Sequence, residues 1–192
     1  MGKKYFNIHQ DLLDRCQEGD QQAQFEIYRL YYKSMYNSSL RIVGVAEEAE
    51  DIMQESFLTA FRKLKGYSGE VSFGSWLKKI VINRSLDILR KRKVLFEELH
   101  AELPVVDDPE PEADSVTVEE VKTAINQLSD GYRTILSLIL LEGYDHEEVS
   151  EILGIKNVTS RTQFSRARQK LREILIENRK KQMKEDIYGY MG

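Results

Sequence analysis

Apolar residues recur along this chain at three- and four-residue spacing, and nowhere alternate strictly between hairpin turns, so the pattern predicts helices and no strands. Leu12, Leu13 and Cys16 make a short stripe that stops at Gly19. Asp20 then stands where an N-cap belongs, ahead of a long helix whose expected inner face runs through Ala23, Tyr28, Tyr31, Met35 and Leu40 as far as Gly44. A third helix fits 47–65, with Ala49, Ile52, Met53, Phe57, Ala60, Phe61 and Leu64 inward and Gly66 just beyond. After a short loop at 67–71, Ser72 can cap a fourth helix with Trp76, Leu77, Ile80, Val81 and Leu89 on one side. Further on, Thr117 and Glu120 have capping-box spacing and open a helix to about Leu128. Ser129 or Asp130 opens the next, apolar through Ile135, Leu136, Leu138, Ile139 and Leu140 and ended by Gly143. Asp145 and Glu148 repeat the box for a short helix to Leu153. Gly154 and Ile155 make a tight turn, and a last helix runs from about Asn157 towards Lys181. Short helix, glycine turn and long basic helix is the order of a helix-turn-helix.

Charge divides these helices into two groups. Residues 1–93 carry 16 basic and 12 acidic side chains, residues 94–120 carry 10 acidic and no Lys or Arg, and residues 121–192 carry 12 basic and 10 acidic. The net charge of −4 therefore hides two mildly basic lobes and an acidic segment between them, which also holds Pro104, Pro109 and Pro111. Acidic, proline-containing and poor in aromatics, 105–115 is expected to be a linker. A chain of 192 residues accommodates two domains of roughly 80–100 residues each. The expected architecture is all-α, with two small helical domains at 1–93 and 117–192 joined by a flexible linker at 94–116, the second ending in a basic tail. No stretch approaches the roughly 18–20 apolar residues of a membrane span. The N-terminal stretch lacks the apolar core of a secretory signal. Cys16 is the sole cysteine, which excludes an intramolecular disulfide or a cysteine zinc cluster. A reduced, cytoplasmic protein without membrane insertion is expected.

Three surfaces carry candidate chemistry. From Lys156 to Arg172 there are six basic residues and no acid. With Ser160, Phe164, Ala167, Leu171 and Leu175 as the expected buried side, Thr159, Arg161, Thr162, Ser165, Arg166 and Arg168 point outward or flank it. Arginine can pair bidentately with guanine, and hydroxyls suit bases or phosphates. A solvated amphipathic helix is the plain alternative. The stretch 62–93 holds ten basic residues, Lys79 and Arg84 among them, interleaved with Tyr67, Phe73 and Trp76. Cations track phosphates while aromatic faces stack on unpaired bases; a core role for Trp76 competes equally with stacking. Asp51, Gln54 and Glu55 share one face of the third helix, beyond the first turn where acids merely complement the helix dipole, and read as a protein-binding face. Enzyme chemistry finds no support: there is no GxxxxGK[ST], GxSxG or HExxH, and His9, His100 and His146 are scattered. No catalytic residue, metal site or cofactor is expected.

With these motifs on the page, the chain resembles the extracytoplasmic-function (ECF, group 4) sigma factors of the sigma-70 family, over roughly residues 11–176. Ala49-Glu-Asp-Ile-Met-Gln-Glu-Ser-Phe57 is similar to region 2.2. Phe73-Gly-Ser-Trp-Leu-Lys-Lys-Ile-Val-Ile-Asn83, followed by Asp87 and Arg90, is similar to regions 2.3 and 2.4. Glu151-Ile-Leu-Gly-Ile155, with Ser165-Arg-Ala-Arg168 and Leu171, is similar to region 4. The resemblance implies a subunit that binds core RNA polymerase and directs it to promoters, reading −10 and −35 elements and aiding strand opening while the polymerase does the chemistry. It implies docking of Asp51, Gln54 and Glu55 on the β′ clamp helices and of the second domain on the β flap. It places a flipped −10 base at the loop 66–74 and the following helix, with Tyr67, Phe73, Trp76, Lys79, Asn83, Arg84 and Asp87. It gives the −35 element to Thr159, Arg161, Thr162, Ser165 and Arg166, with Arg168 on phosphate. The family also implies an anti-sigma factor, which can hold such a chain at the membrane.

Under that resemblance the 27 residues from Arg90 to Thr117, extended, reach roughly 90 Å, against about 70 Å for two turns of duplex. The family threads this segment toward the active-site cleft, where carboxylates mimic phosphates; an acidic solvated tether is the plain alternative. Three positions depart from the pattern. Lys156 replaces a capping Ser, which shifts the expected helix start to Asn157. Ser160 replaces an apolar core residue and is expected to loosen the last helix. Gln163 replaces an Arg and is expected to remove a phosphate contact. A conventional helix-turn-helix regulator acting without the polymerase would account for 117–181 but leaves the 51–55 face and the 67–76 loop without a task. A polymerase-binding adaptor without DNA contacts leaves both basic surfaces unexplained.

Overall fold

The computed structural model describes residues 7–92 and 116–189. It divides into two compact units between Lys91 and Arg92, and all regular structure among the described residues is helical. The expected linker lies almost wholly outside the described residues.

In the first unit, α1 (Gln10–Gln17), α2 (Gln21–Val43), α3 (Ala46–Lys63) and α4 (Phe73–Lys91) pack around one core, with a 3₁₀ turn at Leu64–Gly66. The local reasons for the boundaries are chemical. Asp20 adopts extended geometry and accepts the amides of Gln22 and Ala23 at 2.8 and 3.2 Å. Those bonds, the Ala23 amide first and then the Arg15 guanidinium, hold its carboxyl below the usual range. Gly44, at φ +74°, turns the chain out of α2 in a left-handed conformation that a side chain would oppose. Ser72 Oγ accepts the Ser75 amide at 3.1 Å and caps α4.

The inner face of α2 differs from expectation. Ala23, Ile27, Met35, Ile42 and Val43 are buried, while Tyr28, Tyr31 and Leu40 are only half-buried. Ser38 and Ser39 take the place expected for larger residues, because α2 and α4 approach closely there and Ser39 Oγ lies 3.1 Å from Ser85 Oγ. Gly74 serves the same approach: a Cβ on it would sit 3.0 Å from the Tyr31 ring. On α4 the buried set is Phe73, Leu77, Val81, Ile82, Ser85, Leu86 and Leu89, with Trp76 and Ile80 half-buried. Cys16 is buried with Leu12 and Leu13, and burial pushes its thiol up to about 11.

The second unit contains α5 (Val118–Asn126), α6 (Asp130–Leu136), α7 (His146–Leu153) and α8 (Asn157–Gly189). Both capping boxes form, at Thr117 with Glu120 and at Asp145 with Glu148. Helix α6 continues as a π-helical turn, Ser137–Leu141, in which the Glu142 amide reaches back five residues to Ser137 O at 2.9 Å. The wider turn shifts the phase of the apolar stripe, so Leu140 and Leu141 are exposed, contrary to the expectation that the whole run packs inward. Arg133 is buried, donating to Leu128 O at 3.0 Å and paired with Asp130. Gly154, at φ +69°, ends α7 and makes the turn into α8.

Candidate polymerase and nucleic-acid interfaces

Asp51, Gln54 and Glu55 are all exposed on α3, opposite the buried Ile52, Met53 and Phe57. Helical phase is sufficient cause, since 51, 54 and 55 are one turn apart. Gln54 Nε2 donates to Glu50 Oε1 at 3.2 Å, extending the acid-amide face by one residue. Glu55 is not free: its carboxylate pairs with Arg84 of α4. The proposed docking face and the basic helix beside it thus meet at one ion pair.

The loop between the 3₁₀ turn and α4 is organised by aromatic packing. Tyr67 lies 5.2 Å from Trp76 and 6.0 Å from Phe73 between ring centroids, and Phe73 lies 5.4 Å from Tyr31. Phe73 is 1% exposed and sits in the core, so it supports the loop and presents no face on which a base could stack. That corrects its expected place among the DNA contacts. Trp76 and Tyr67 are half-buried and keep some ring surface accessible. One turn after another, Lys79, Asn83 and Asp87 continue from Trp76 along a single exposed stripe of α4. Arg84 flanks this stripe with its side chain 38% exposed, and Asp87 pairs with Arg90 at 2.8 Å. The stripe combines donors, acceptors and cations beside an aromatic cluster, which suits an extruded base and its backbone.

In the helix-turn-helix, Arg161 and Arg168 are exposed while Thr159, Thr162, Ser165 and Arg166 are half-buried at the flanks. Arg161 Nε donates to Asn157 Oδ1 at 3.0 Å, and Thr162 Oγ1 donates to Val158 O at 3.0 Å. Both side chains are thereby held along the first turns of α8. Arg168 lies over the Phe164 ring at 5.9 Å. The buried side is Ser160, Gln163 and Ala167, with Phe164, Leu171 and Leu175 half-buried. Gln163 is 1% exposed, so this position faces the core, and the expected loss of a phosphate contact there is withdrawn.

Ser160 also departs from expectation. It is fully buried, and its hydroxyl lies 3.0 Å from His146 Nδ1, while the imidazole packs edge-on against Phe164 at 5.4 Å. A polar pair joins α7 to α8 where an apolar residue was the expected occupant. Burial first, and then the nearby Arg161 charge, hold the His146 imidazole below its ordinary value. Two further residues escaped the sequence reading. Val158 is 73% exposed at the start of α8, beside Thr159 and Thr162, where an apolar group can meet a thymine methyl. Its helical phase was a sufficient signal. Asn7, discussed below, gave none. Among the described residues no cluster of His, Cys, Asp and Glu could hold a metal ion, and no helix is long and apolar enough to cross a membrane.

Two family models match the chain: Sigma-70 region 2 over residues 27–94 and Sigma-70, region 4 over residues 118–171. The chain is 32% identical over 169 residues to the ECF RNA polymerase sigma factor SigE of Mycolicibacterium smegmatis, covering 83% of this chain and 65% of that protein's length. It is 32% identical over 178 residues to the ECF RNA polymerase sigma factor SigW of Bacillus subtilis, covering 85% of this chain and 94% of that protein. Among solved structures, the sigma factor RpoE in complex with the anti-sigma factor NepR from Bartonella quintana superposes with a TM-score of 0.54. It shares 24% identity and covers 78% of this chain and 94% of that one, a likeness of fold.

Proposed function

The chain belongs to the ECF sigma factors of the sigma-70 family, and from that premise we propose that it binds core RNA polymerase and directs it to promoters in transcription initiation. In this reading residues 1–93 dock on the polymerase and open the −10 element, residues 117–192 read the −35 element, and 94–116 tether the two. The exposed Asp51, Gln54 and Glu55 face engages the β′ clamp helices, and the second domain meets the β flap. Tyr67 and Trp76 border the pocket for an extruded −10 base, with Lys79, Asn83, Arg84 and Asp87 along the adjoining strand. Unstacking a base costs a few kcal/mol, which an aromatic wall beside a cationic helix can offset. Thr159, Arg161, Thr162, Ser165 and Arg166 face the −35 duplex, with Arg168 on phosphate and Val158 added as an apolar contact.

No bond is made or broken by this subunit, and no cofactor is required. The single observation that carries the reading is the pairing, in one chain, of an exposed acid-amide face with two separate DNA-competent helices, α4 and α8. That pairing leaves a polymerase-independent regulator without a use for the first unit. The protein acts in the cytoplasm, and an anti-sigma factor, such as the one captured with RpoE, holds it there or at the membrane until released.

Charge reversal tests the assignment. Asp51→Arg is expected to abolish association with core polymerase and to leave binding of a −35 duplex by the free chain unchanged. Arg161→Glu is expected to do the reverse. Equal polymerase affinity for Asp51→Arg and the parent chain would refute the docking face.

A further inference from the structure

We propose that Asn7 is a positioning residue for −10 recognition, clamping the loop at 67–72 from a site ahead of α1. The inference rests on the reading of that loop as the −10 element. Asn7 is 6% exposed, and its carboxamide reaches across more than sixty residues of sequence. Its Oδ1 accepts the Phe73 amide at 2.8 Å, one of the amides that the first turn of α4 leaves without an intrahelical partner. Its Nδ2 donates to Tyr67 Oη at 3.2 Å and to Gln10 Oε1 at 3.2 Å. The Tyr67 hydroxyl lies 3.3 Å from Asn7 Oδ1 and within donating distance of Val71 O.

A tyrosine hydroxyl has one proton to give. One proton arrangement satisfies the set: Asn7 donates to Tyr67, Tyr67 donates to Val71 O, and the Phe73 amide donates to Asn7. The two ends of the loop, Tyr67 and Phe73, are thereby tied to a single side chain, and its penultimate carbonyl is tied to the first end. Gln17, at the other end of α1, donates to Leu64 O at 3.3 Å and fixes the turn that feeds the loop. The α1 segment therefore works as a frame. Tyr67 is in turn the ring against which Trp76 packs, so the clamp sets the aromatic wall of the proposed base pocket.

Only a side chain with both a donor and an acceptor at this reach closes the ring of bonds. Asn7→Leu removes both, Asn7→Asp keeps the acceptor, and Tyr67→Phe removes the hydroxyl from the other side. The assay is binding of the holoenzyme to fork DNA carrying a single-stranded −10 element, with each of the four bases at each −10 position. Asn7→Leu is expected to weaken binding of the preferred sequence about tenfold, the loss of one to two hydrogen bonds' ordering. It should also flatten discrimination among the bases, with Asn7→Asp recovering part of both and −35 duplex binding and polymerase affinity unmoved. Combined with Tyr67→Phe it should be non-additive, because the two act through one network.

Replacing the loop tip at 68–70 with three glycines tests the underlying reading separately. If the glycine tip flattens discrimination and neither Asn7 variant does, the clamp is refuted while the −10 loop stands. If the glycine tip leaves discrimination intact, the loop is not the reader and both ideas fall. Additive effects of Asn7→Leu and Tyr67→Phe would also refute the clamp.

Discussion

Phe73→Ala separates packing from recognition in the first unit. The ring is 1% exposed and has Tyr31, Tyr67 and Trp76 as ring neighbours at 5.4, 6.0 and 5.7 Å. Truncating a buried phenylalanine costs about 3–5 kcal/mol, the transfer loss plus the cavity it leaves. With a urea m-value of about 2 kcal/mol/M, the unfolding midpoint should fall by roughly 1.5–2.5 M. Trp76 is the chain's only tryptophan and touches Phe73, so its fluorescence reports this unit alone. Phe73→Leu keeps most of the volume and should cost less than about 1.5 kcal/mol. It should retain base discrimination at the −10 element as well. An unfolding midpoint unmoved by Phe73→Ala would refute the core placement. Loss of base discrimination in a stably folded Phe73→Leu chain would refute the claim that this ring supports the pocket from behind.

Three other perturbations follow from particular groups. Because the His146 imidazole is held below its ordinary value, the unfolded chain takes up its proton at a higher pH than the folded unit does. Its contribution to stability is therefore complete above about pH 6.5 and is lost as the pH falls toward the folded value. Thermal melts should show this decline reduced in His146→Gln, and an identical pH profile for the two chains would contradict it. Cys16, buried and with its thiol raised to about 11, should react with a thiol reagent only as fast as the first unit opens. Immediate labelling of the folded chain would contradict that placement. Arg161→Glu should weaken −35 duplex binding by about tenfold or more, since a guanine pair is worth roughly 1–3 kcal/mol, and change folding stability by no more than about 0.5 kcal/mol. Gln163→Arg should instead lower the melting temperature without improving DNA affinity, because that side chain faces the core.

What the sequence made legible was chemistry confined to neighbouring residues. Thr117 with Glu120, Asp145 with Glu148, Asp20, and the glycines at 44 and 154 all act within a few positions, and all cap or turn as their types require. The two-lobed helical pattern followed from periodicity, and the exposed faces at 51–55 and 161–168 followed from phase. Features set by distant partners were not legible. The packing of Ser38 and Ser39 depends on how near α4 comes, which the residues of α2 do not encode alone. The π turn at Ser137–Leu141 shifts the stripe within a run that is apolar throughout, so Leu140 looked no different from Leu138. Ser160 and Gln163 are polar residues buried by tertiary context, one of them paired to His146. Asn7 was invisible because its partners lie at 67 and 73.

The central claim is that this chain gives core RNA polymerase its promoter choice, and run-off transcription tests it most directly. Purified bacterial core polymerase on a pool of genomic promoter fragments, with and without the chain, should yield discrete new start sites that share −35 and −10 elements and disappear with Asp51→Arg. Stable binding to core polymerase with no new start sites on any fragment, or start sites that persist unchanged with Asp51→Arg, would contradict the account.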